Sequence, residues 1–403
     1  MSDFHQNGTI TTLHNLTNRP LEELEAELCQ FAETNPLGLV LPCLYSELEG
    51  PALEHIVDEL SKVPYLSEIV IGLDRADETQ FEHAKRYFSR LPQRHRILWN
   101  DGPRAQKLYA KLHREGIAPK QLGKGCNVWN CFGYVIGSAR VKGVALHDCD
   151  IVTYDRSLLA RLLYPVARPS FSFRFCKGYY VRVANDRMHG RVSRLLVTPL
   201  IHSLRHVFGP VPFLDYLDGF RYPLAGEFSM HVDVLGDLRI PSDWGLEIGV
   251  LSEVQRNYSM NRLCQVDIAD FYDHKHQSVS ADDPQLGLSK MSNDIAKAIF
   301  RKLATQGHVF SSGTFRTIKA TYFRHALDLV EAYHKDAMMN GLIFDRHSEE
   351  ATVEVFVQSI VRAGEQFLAN PMETPFIPAW NRVISAVPNV LRDLQEIVEA
   401  DNA

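Results

Sequence analysis

Long apolar runs, paired cysteines and a strong excess of one charge are all missing from this chain of 403 residues. No apolar run is long enough to cross a bilayer, and residues 1–18 lack the basic start and apolar core of a signal peptide. The seven cysteines include no CxxC pair, which argues against a disulfide framework and a zinc finger. With 43 basic and 49 acidic residues, the net charge is −6. We therefore expect a cytoplasmic protein that binds neither membrane nor nucleic acid.

Repeats and low-complexity tracts are also missing, and the length predicts two or three structural units. After residue 36, short apolar runs alternate with amphipathic stretches, which favours βαβ units and a parallel α/β sheet that binds a nucleotide. Ligands of such sheets lie at the carboxyl ends of the strands. The pattern predicts strands over residues 37–44, 68–73, 95–99 and 141–146, and helices over 20–33, 51–63, 78–91, 103–115 and 128–139.

The second half of the chain is predicted to contain a β hairpin or meander over residues 170–183 and a helix over 191–206. A helix over 243–255 with Asp243 as its cap and a strand over 263–271 follow. Beyond residue 289 the pattern is helical, and its apolar stripes favour packing on the core, with a dimer interface as the alternative. We divide the chain into an N-terminal extension (1–35), an α/β region (36–152), a mixed region (153–280) and a helical C-terminal region (281–403).

Asp148 and Asp150 directly follow the predicted strand 141–146. Two carboxylates at the end of a strand can hold Mg²⁺ or Mn²⁺, which prefer oxygen ligands and leave positions open for substrate phosphates. Two solvated aspartates after a strand are common, however, so this pair alone is a weak motif.

Two basic features accompany the acidic pair. Lys124 lies between two glycines, where a backbone can approach a ligand and the ammonium can bind phosphate, although a flexible turn explains the same residues. The spacing of a Walker loop is missing. Residues 168–194 contain seven Lys or Arg residues and one acidic residue, Asp186. Residues 190–193 (Gly-Arg-Val-Ser) begin a helix there, a place that favours anions, although a solvated basic face is an alternative.

Three later residues complete the candidate set. Glu227 follows Gly226, Glu247 follows a glycine turn, and carboxylates at such turns can bind sugar or glycerate hydroxyls. Solvated carboxylates are an equally good explanation. His274 follows a predicted strand and is a reasonable third metal ligand, although a lone histidine is more often structural.

In this order, the motifs resemble those of retaining glycosyltransferases of the GT-A fold, specifically glucosyl-3-phosphoglycerate synthases, over residues 41–277. The resemblance implies a GT-A type sheet flanked by helices, with the nucleotide-sugar-binding region at 36–152, the acceptor-binding and catalytic region at 153–280 and a helical C-terminal appendage at 281–403. It implies that the donor nucleotide contacts a set of residues near the strand ends: Pro42, Leu44, Glu47, Asp74, Lys124 and Asp148. Tyr45 and Ser46 replace the family's Asn and Glu, so the base (uracil, guanine or adenine) stays open.

The same resemblance assigns the acceptor's phosphate to the residues Arg191, Val192 and Ser193, with Gly226 and Glu247 as further substrate contacts. Metal binding is implied for Asp150 and His274, with His276 as the alternative to His274. Asp150 and Glu227 are the catalytic candidates. Glu227 is conceivable as the nucleophile of a double displacement, while a front-side attack assisted by the leaving phosphate fits equally well.

The implied function is transfer of glucose from a nucleoside diphosphate glucose to 3-phosphoglycerate by an enzyme dependent on Mg²⁺ or Mn²⁺, expected to be a homodimer. Transfer of mannose, or transfer to glycerate, is the nearest alternative. From other classes, a sugar nucleotidyltransferase and a non-catalytic nucleotide-sugar-binding protein remain open. The nucleotidyltransferase is disfavoured, because no glycine-rich loop with a basic residue follows the first strand.

Overall fold

A computed structural model describes residues 6, 8–17, 19–119, 123–274, 287–371 and 376–403. The strands in these ranges are β1 (Thr11–Leu13), β2 (Leu37–Leu44), β3 (Leu66–Asp74), β4 (His95–Trp99), β5 (Gly143–Leu146), β6 (Phe175–Tyr180), β7 (Val183–Ala184), β8 (Arg187–Met188), β9 (Phe228–His231) and β10 (Leu263–Ala269). The helices are α1 (Leu21–Thr34), α2 (Pro51–Leu60), α3 (Glu78–Phe88), α4 (Pro103–Arg114), α5 (Lys124–Ser138), α6 (Arg156–Ala167), α7 (Thr198–Phe208), α8 (Pro212–Asp218), α9 (Val232–Leu235), α10 (Leu246–Asn257), α11 (Gly287–Thr305), α12 (Ser312–Met339), α13 (Arg346–Ala369), α14 (Trp380–Ala386) and α15 (Val390–Asp401).

Eight of the strands form one sheet in the order β1-β10-β6-β9-β5-β2-β3-β4. Strand β9 runs antiparallel to β5 and β6, and the other neighbouring pairs are parallel. The predicted α/β class with a mostly parallel sheet is therefore confirmed. Strand β5 ends at Leu146, which pairs with Val40, so β2 extends beyond it. Pro42 lies in this extension, where its missing N–H leaves no bond to β5 unmade.

The two faces of the sheet have separate hydrophobic cores. Leu39 and Leu41 of β2 pack on the face covered by α1, α2, α3 and α6, whereas Val40 packs on the opposite face. This alternation follows from the two-residue period of a strand. The C-terminal helices pack on the second face, where Trp380 of α14 stacks on Trp129 of α5 with ring centroids 4.2 Å apart.

Several local predictions needed correction. Residues 170–183 do not form a hairpin, because β6 pairs with β10 and β9 instead. Helix α10 begins at Leu246, and Asp243 does not cap it; its Oδ1 atom accepts a hydrogen bond from the Gly245 N–H at 2.9 Å. The helix predicted from residue 191 begins as a π-helix, Val192–Val197, that runs into α7.

Three short strands, β1, β8 and β9, were not predicted, and β7 overlaps the predicted hairpin range only at Val183. The four region boundaries stay predictions. No helix in the described part of the chain has the length and apolar character that a membrane span requires.

Candidate active site

A cavity of about 1210 Å³ lies at the carboxyl edge of the sheet, beside the extended end of β2. Its walls come from two distant parts of the chain. The ends of β2, β3 and β5 form one wall, while residues of α11, the α12–α13 connection and α13 form another. The cavity thus lies where the order of a parallel sheet reverses, the usual place for a nucleotide.

The predicted nucleoside contacts line one end of this cavity. They come from the end of β2, the 3₁₀ helix after it and the last residue of β3: Pro42, Leu44, Glu47 and Asp74. The Asn100 Nδ2 group donates to Asp74 Oδ1 at 2.7 Å. Burial raises the pKa of Asp74 to about 6, and the bond from Asn100 opposes this rise.

Lys124 lies in the first turn of α5, facing two carboxylates. Its Nζ atom is 2.6 Å from Asp148 Oδ1 and 3.3 Å from Glu247 Oε1. Burial alone would lower the pKa of Lys124, but these carboxylates raise it. The flanking glycines have a structural reason, since a Cβ atom at Gly125 would lie 1.9 Å from the Pro241 carbonyl oxygen. The close approach here is to the protein's own backbone.

Asp148 and Asp150 both line the cavity, and their pKa values shift in opposite directions. Burial would raise the pKa of Asp148, but the Lys124 ammonium holds it below the usual value. Burial, together with the negative charge of Asp148, raises the pKa of Asp150 to about 7. Gly226 packs against Asp148, because a Cβ atom there would lie 2.6 Å from Asp148 Oδ2. Gly226 itself is not a lining residue of the cavity.

The predicted metal ligands are adjacent in space. His274 forms an antiparallel bridge with Ile151, the residue after Asp150, and it lines the same cavity. Asp150 Oδ1 is buried, with no hydrogen-bond partner among the described residues. Within the same residues, no group of three or more His, Cys, Asp or Glu side chains has the arrangement of a metal site. Two protein ligands with open positions fit Mg²⁺ or Mn²⁺, which commonly bind through one or two carboxylates, water and substrate phosphates. His276 lies outside the described residues.

Glu227 is fully buried beneath the cavity and is not one of its lining residues. The hydroxyl groups of Tyr180 and Tyr272 donate to its two carboxylate oxygens at 2.7 and 2.6 Å, and the two rings stack 3.7 Å apart. Burial raises the pKa of Glu227, and the charge of Asp148 adds to the rise. The geometry presents this carboxylate as an anchor for three strand ends, and its catalytic role stays a prediction.

The predicted acceptor residues lie beside the start of α13, in the part of the cavity that we call the acceptor end. Arg191 and Val192 line it, while Ser193 is buried and does not. The Ser193 hydroxyl has no hydrogen-bond partner within the described ranges. Arg191 is not free, since its Nε atom donates to Glu349 Oε1 at 2.8 Å.

Several cavity residues were not predicted individually. Arg182 and Arg187 belong to the basic stretch 168–194, which was noticed as a whole but not resolved by position. The basic residues of this stretch have different roles: Arg174 pairs with Asp233 outside the cavity, and Lys177 is fully buried. Glu349 carried no signal, since nothing in the sequence connects it with Arg191.

Similar proteins of known name or known structure identify the family of this chain. No protein-family model matches the chain. It is 46% identical to glucosyl-3-phosphoglycerate synthase of Persephonella marina over 403 residues, which cover 100% of both chains. It is 38% identical to the protein of the same name from Methanococcoides burtonii, with 99% of this chain and 98% of that one covered.

Two solved structures share the fold. The glucosyl-3-phosphoglycerate synthase of Mycobacterium tuberculosis, in complex with Mn²⁺, uridine diphosphate and glucosyl-3-phosphoglycerate, superposes with a TM-score of 0.53 at 19% identity, covering 75% of this chain and 90% of that chain. The mannosyl-3-phosphoglycerate synthase of Rubrobacter xylanophilus gives a TM-score of 0.55 at 21% identity, covering 75% and 83%. On the full-length identities, the chain belongs to the glucosyl-3-phosphoglycerate synthase family.

Proposed function

We propose that the chain transfers glucose from a nucleoside diphosphate glucose to 3-phosphoglycerate, with retained anomeric configuration and dependence on Mg²⁺ or Mn²⁺. The carrying observation is that a single cavity joins an acidic end around Asp148 and Asp150 to an arginine-lined end around Arg191. A diphosphate with a divalent cation fits the first end, and an acceptor phosphate fits the second.

At the donor end, the base and ribose lie against Pro42, Leu44, Glu47 and Asp74 in this proposal, with the diphosphate near Lys124 and Asp148. Asp150 and His274 hold the cation, which neutralises charge on the leaving diphosphate when bound. The lining side chains include eight Asp or Glu residues and six Lys or Arg residues. This excess of negative charge supports a need for a cation before a diphosphate binds.

At the acceptor end, Arg191 and the start of the π-helix, with Val192 and Ser193, take the phosphate. In this proposal Glu247, which lines the cavity, lies beside the sugar, and Gly226 acts indirectly by packing against Asp148. The C2 hydroxyl is the free hydroxyl of 3-phosphoglycerate, so its oxygen bonds to the anomeric carbon as the bond to the diphosphate breaks. The hydroxyl proton leaves with the nucleoside diphosphate. Most of the rate then comes from positioning and from stabilising the leaving group.

Retention of the anomeric configuration is possible by double displacement or by front-side attack, and the position of Glu227 distinguishes the two routes. A double displacement needs a carboxylate beside the anomeric carbon. The burial of Glu227 and its two tyrosine partners support the front-side route, with Glu227 as an anchor. A glycosyl adduct on Glu227, found by peptide mass spectrometry after reaction with donor alone, would reverse this preference.

A donor and acceptor panel tests the function. Uridine, adenosine and guanosine diphosphate glucose and guanosine diphosphate mannose are incubated with 3-phosphoglycerate or glycerate, with Mg²⁺, Mn²⁺ or a chelator, and products are identified by mass. We expect a glucosyl-3-phosphoglycerate product only with metal, and Asp150→Ala should abolish it. No sugar transfer from any pair would refute the enzyme. Pyrophosphate release from a nucleoside triphosphate and a sugar phosphate would indicate a nucleotidyltransferase, and binding without turnover would indicate a non-catalytic protein.

We further propose a cytoplasmic homodimer that binds neither nucleic acid nor membrane. The seven cysteines are all free thiols, as expected in a reducing compartment. Exposed apolar side chains on the C-terminal helices, including Phe323 and Met338, are candidates for the dimer surface. Light scattering on the full chain tests the dimer, and a monomer at micromolar concentration would exclude it.

A further inference from the structure

Glu349 reaches from the first turn of α13 into the acceptor end of the cavity. Its side chain is 5% exposed and contacts two arginines that lie more than 150 residues away in sequence. Oε1 accepts from Arg191 Nε at 2.8 Å, and Oε2 forms an ion pair with Arg194 Nη2 at 3.0 Å. The neighbouring Ser348 Oγ accepts from Arg191 Nη2 at 3.2 Å.

Arg194 binds Glu349 on the side away from the cavity. The Arg194 side chain is 11% exposed, its guanidinium lies 4.7 Å from the Tyr333 ring centroid, and its Nε atom donates to the His189 carbonyl at 2.9 Å. Arg191, in contrast, is 32% exposed and lines the cavity. The three side chains therefore run in a row from the protein interior to the cavity.

The start of α13 is itself held in place. Asp345 Oδ1 accepts from the Ser348 N–H at 3.0 Å and caps the helix. In the connection before it, the Ile343 N–H donates to the Asp186 carbonyl at 2.7 Å, which ties this segment to the β7–β8 hairpin. These hydrogen bonds attach the start of α13 to the β7–β8 hairpin, so Glu349 extends into the cavity from a tethered helix end.

The number of N–H donors that Arg191 keeps free indicates how Glu349 can act. A guanidinium has five N–H donors. Glu349 takes the Nε donor and Ser348 takes one from Nη2, so three donors remain for an anion in the cavity. An arginine fixed in advance loses less side-chain entropy when it binds a phosphate. With both arginines counted, the cluster also keeps one net positive charge.

We propose that Glu349 is a positioning residue for the acceptor: it holds Arg191 in the orientation that binds the acceptor's phosphate and makes α13 part of the acceptor site. This inference rests on the proposed function, since it takes 3-phosphoglycerate to bind at Arg191. The competing idea is a gate, in which Glu349 occupies the phosphate position and must leave.

The two ideas predict opposite changes in KM. For Glu349→Ala, positioning predicts that KM for 3-phosphoglycerate rises about ten- to fifty-fold, while kcat and KM for the donor stay within about threefold. Glu349→Gln keeps an oxygen acceptor for Arg191 Nε, so its KM should rise less than that of the alanine variant. Titration calorimetry with 3-phosphoglycerate should give the same order of affinities.

Glu399→Ala is the matched control. Glu399, on α15, also bridges two arginines, Arg94 and Arg96, but at the β4 edge of the sheet and outside the cavity. We expect this variant to lose thermal stability without a change in KM for 3-phosphoglycerate. An equal rise of KM in Glu399→Ala would assign the Glu349 effect to general destabilisation and overturn the proposal.

Other outcomes also decide. A lower KM in Glu349→Ala would establish the gate and overturn positioning. An unchanged KM in both Glu349 variants, with a wild type that uses 3-phosphoglycerate, would refute the inference and leave the proposed function intact. A wild type that transfers no sugar to 3-phosphoglycerate would instead remove the proposed function on which the inference depends. If the alanine variant does not fold, the glutamine variant carries the same comparison.

Discussion

Lys124→Met removes the ammonium group between Asp148 and Glu247 while keeping a side chain of similar volume. At separations of 2.6 and 3.3 Å, two unit charge pairs interact by about 6 and about 5 kcal/mol at an effective dielectric constant of about 20. Most of this attraction offsets the desolvation of the three groups. Their side chains are 12–26% exposed, and removing one partner of a buried pair costs about 3–5 kcal/mol. Because the cavity is open to water, we expect about 3 kcal/mol.

Urea denaturation without metal measures this loss, and steady-state kinetics with Mn²⁺ measures the rate. We expect kcat to fall by a factor of about 10² to 10³, the usual cost of removing one stabilising donor from a reacting centre. Mn²⁺ should restore part of the stability, since it returns positive charge to the carboxylates.

Lys111→Met is the matched control, because the Lys111 Nζ atom lies 3.3 Å from Asp393 with side chains 44% and 31% exposed. We expect it to cost less than about 1 kcal/mol and to leave the rate unchanged. The reasoning fails if Lys124→Met turns over within threefold of wild type, or if it is destabilised no more than Lys111→Met.

Three further predictions concern other parts of the fold. Burial raises the pKa of Asp74 to about 6. Between about pH 4 and 6 the unfolded chain loses this proton while the native state keeps it, so the free energy of unfolding falls as the pH rises through this window. Asp74→Asn should therefore raise the unfolding free energy at pH 7 by up to about 2 kcal/mol in urea titrations, with no gain below pH 4. Gly133→Ala places a Cβ atom 2.1 Å from Trp380 Cζ2, so we expect a loss of about 1–3 kcal/mol and a lower melting temperature. Tyr272→Phe and Tyr180→Phe each remove one hydroxyl donor from the same buried carboxylate, at about 1.5–3 kcal/mol each. Only the first should also weaken Mn²⁺ binding in calorimetry, because Tyr272 lies two residues from His274.

Buried parallel strands were the most predictable part of the fold. The predicted ranges 37–44 and 95–99 coincide with β2 and β4. Strand β2 is buried on both faces over most of its length and has a nearly continuous apolar sequence, which is typical of a central parallel strand. Strands β1 and β9 contain three and four residues, too few to show a period of two. They are strands because they pair with neighbouring strands in the sheet, and a local sequence pattern cannot predict that pairing.

The donor end and the acceptor end of the site also differed in how well the sequence predicts them. Asp74 is the last residue of β3, and Asp148 and Asp150 come shortly after β5, so a single rule about strand ends places them together. The contact between Arg191 and Glu349 joins residues 158 positions apart and depends on how α12 and α13 pack. No sequence pattern reports such a contact. The basic helix start at residues 190–193 and the resemblance therefore predicted an anion site at Arg191, but neither predicted Glu349.

Asn402, just after α15, protects an edge of the central sheet. Strand β4 lies at the edge of the sheet, where unpaired backbone groups invite pairing with another chain. The Asn402 side chain covers this edge, because its Oδ1 atom accepts from the Ile97 N–H at 2.9 Å and its Nδ2 group donates to the Ile97 carbonyl at 2.8 Å. Asn402→Ala should cost about 1–3 kcal/mol by leaving both groups without these partners. We expect faster aggregation on mild heating, measured by light scattering, whereas Asn389→Ala, at the other end of α15, should aggregate like wild type. Equal aggregation of the two variants would show that α15 alone protects the edge.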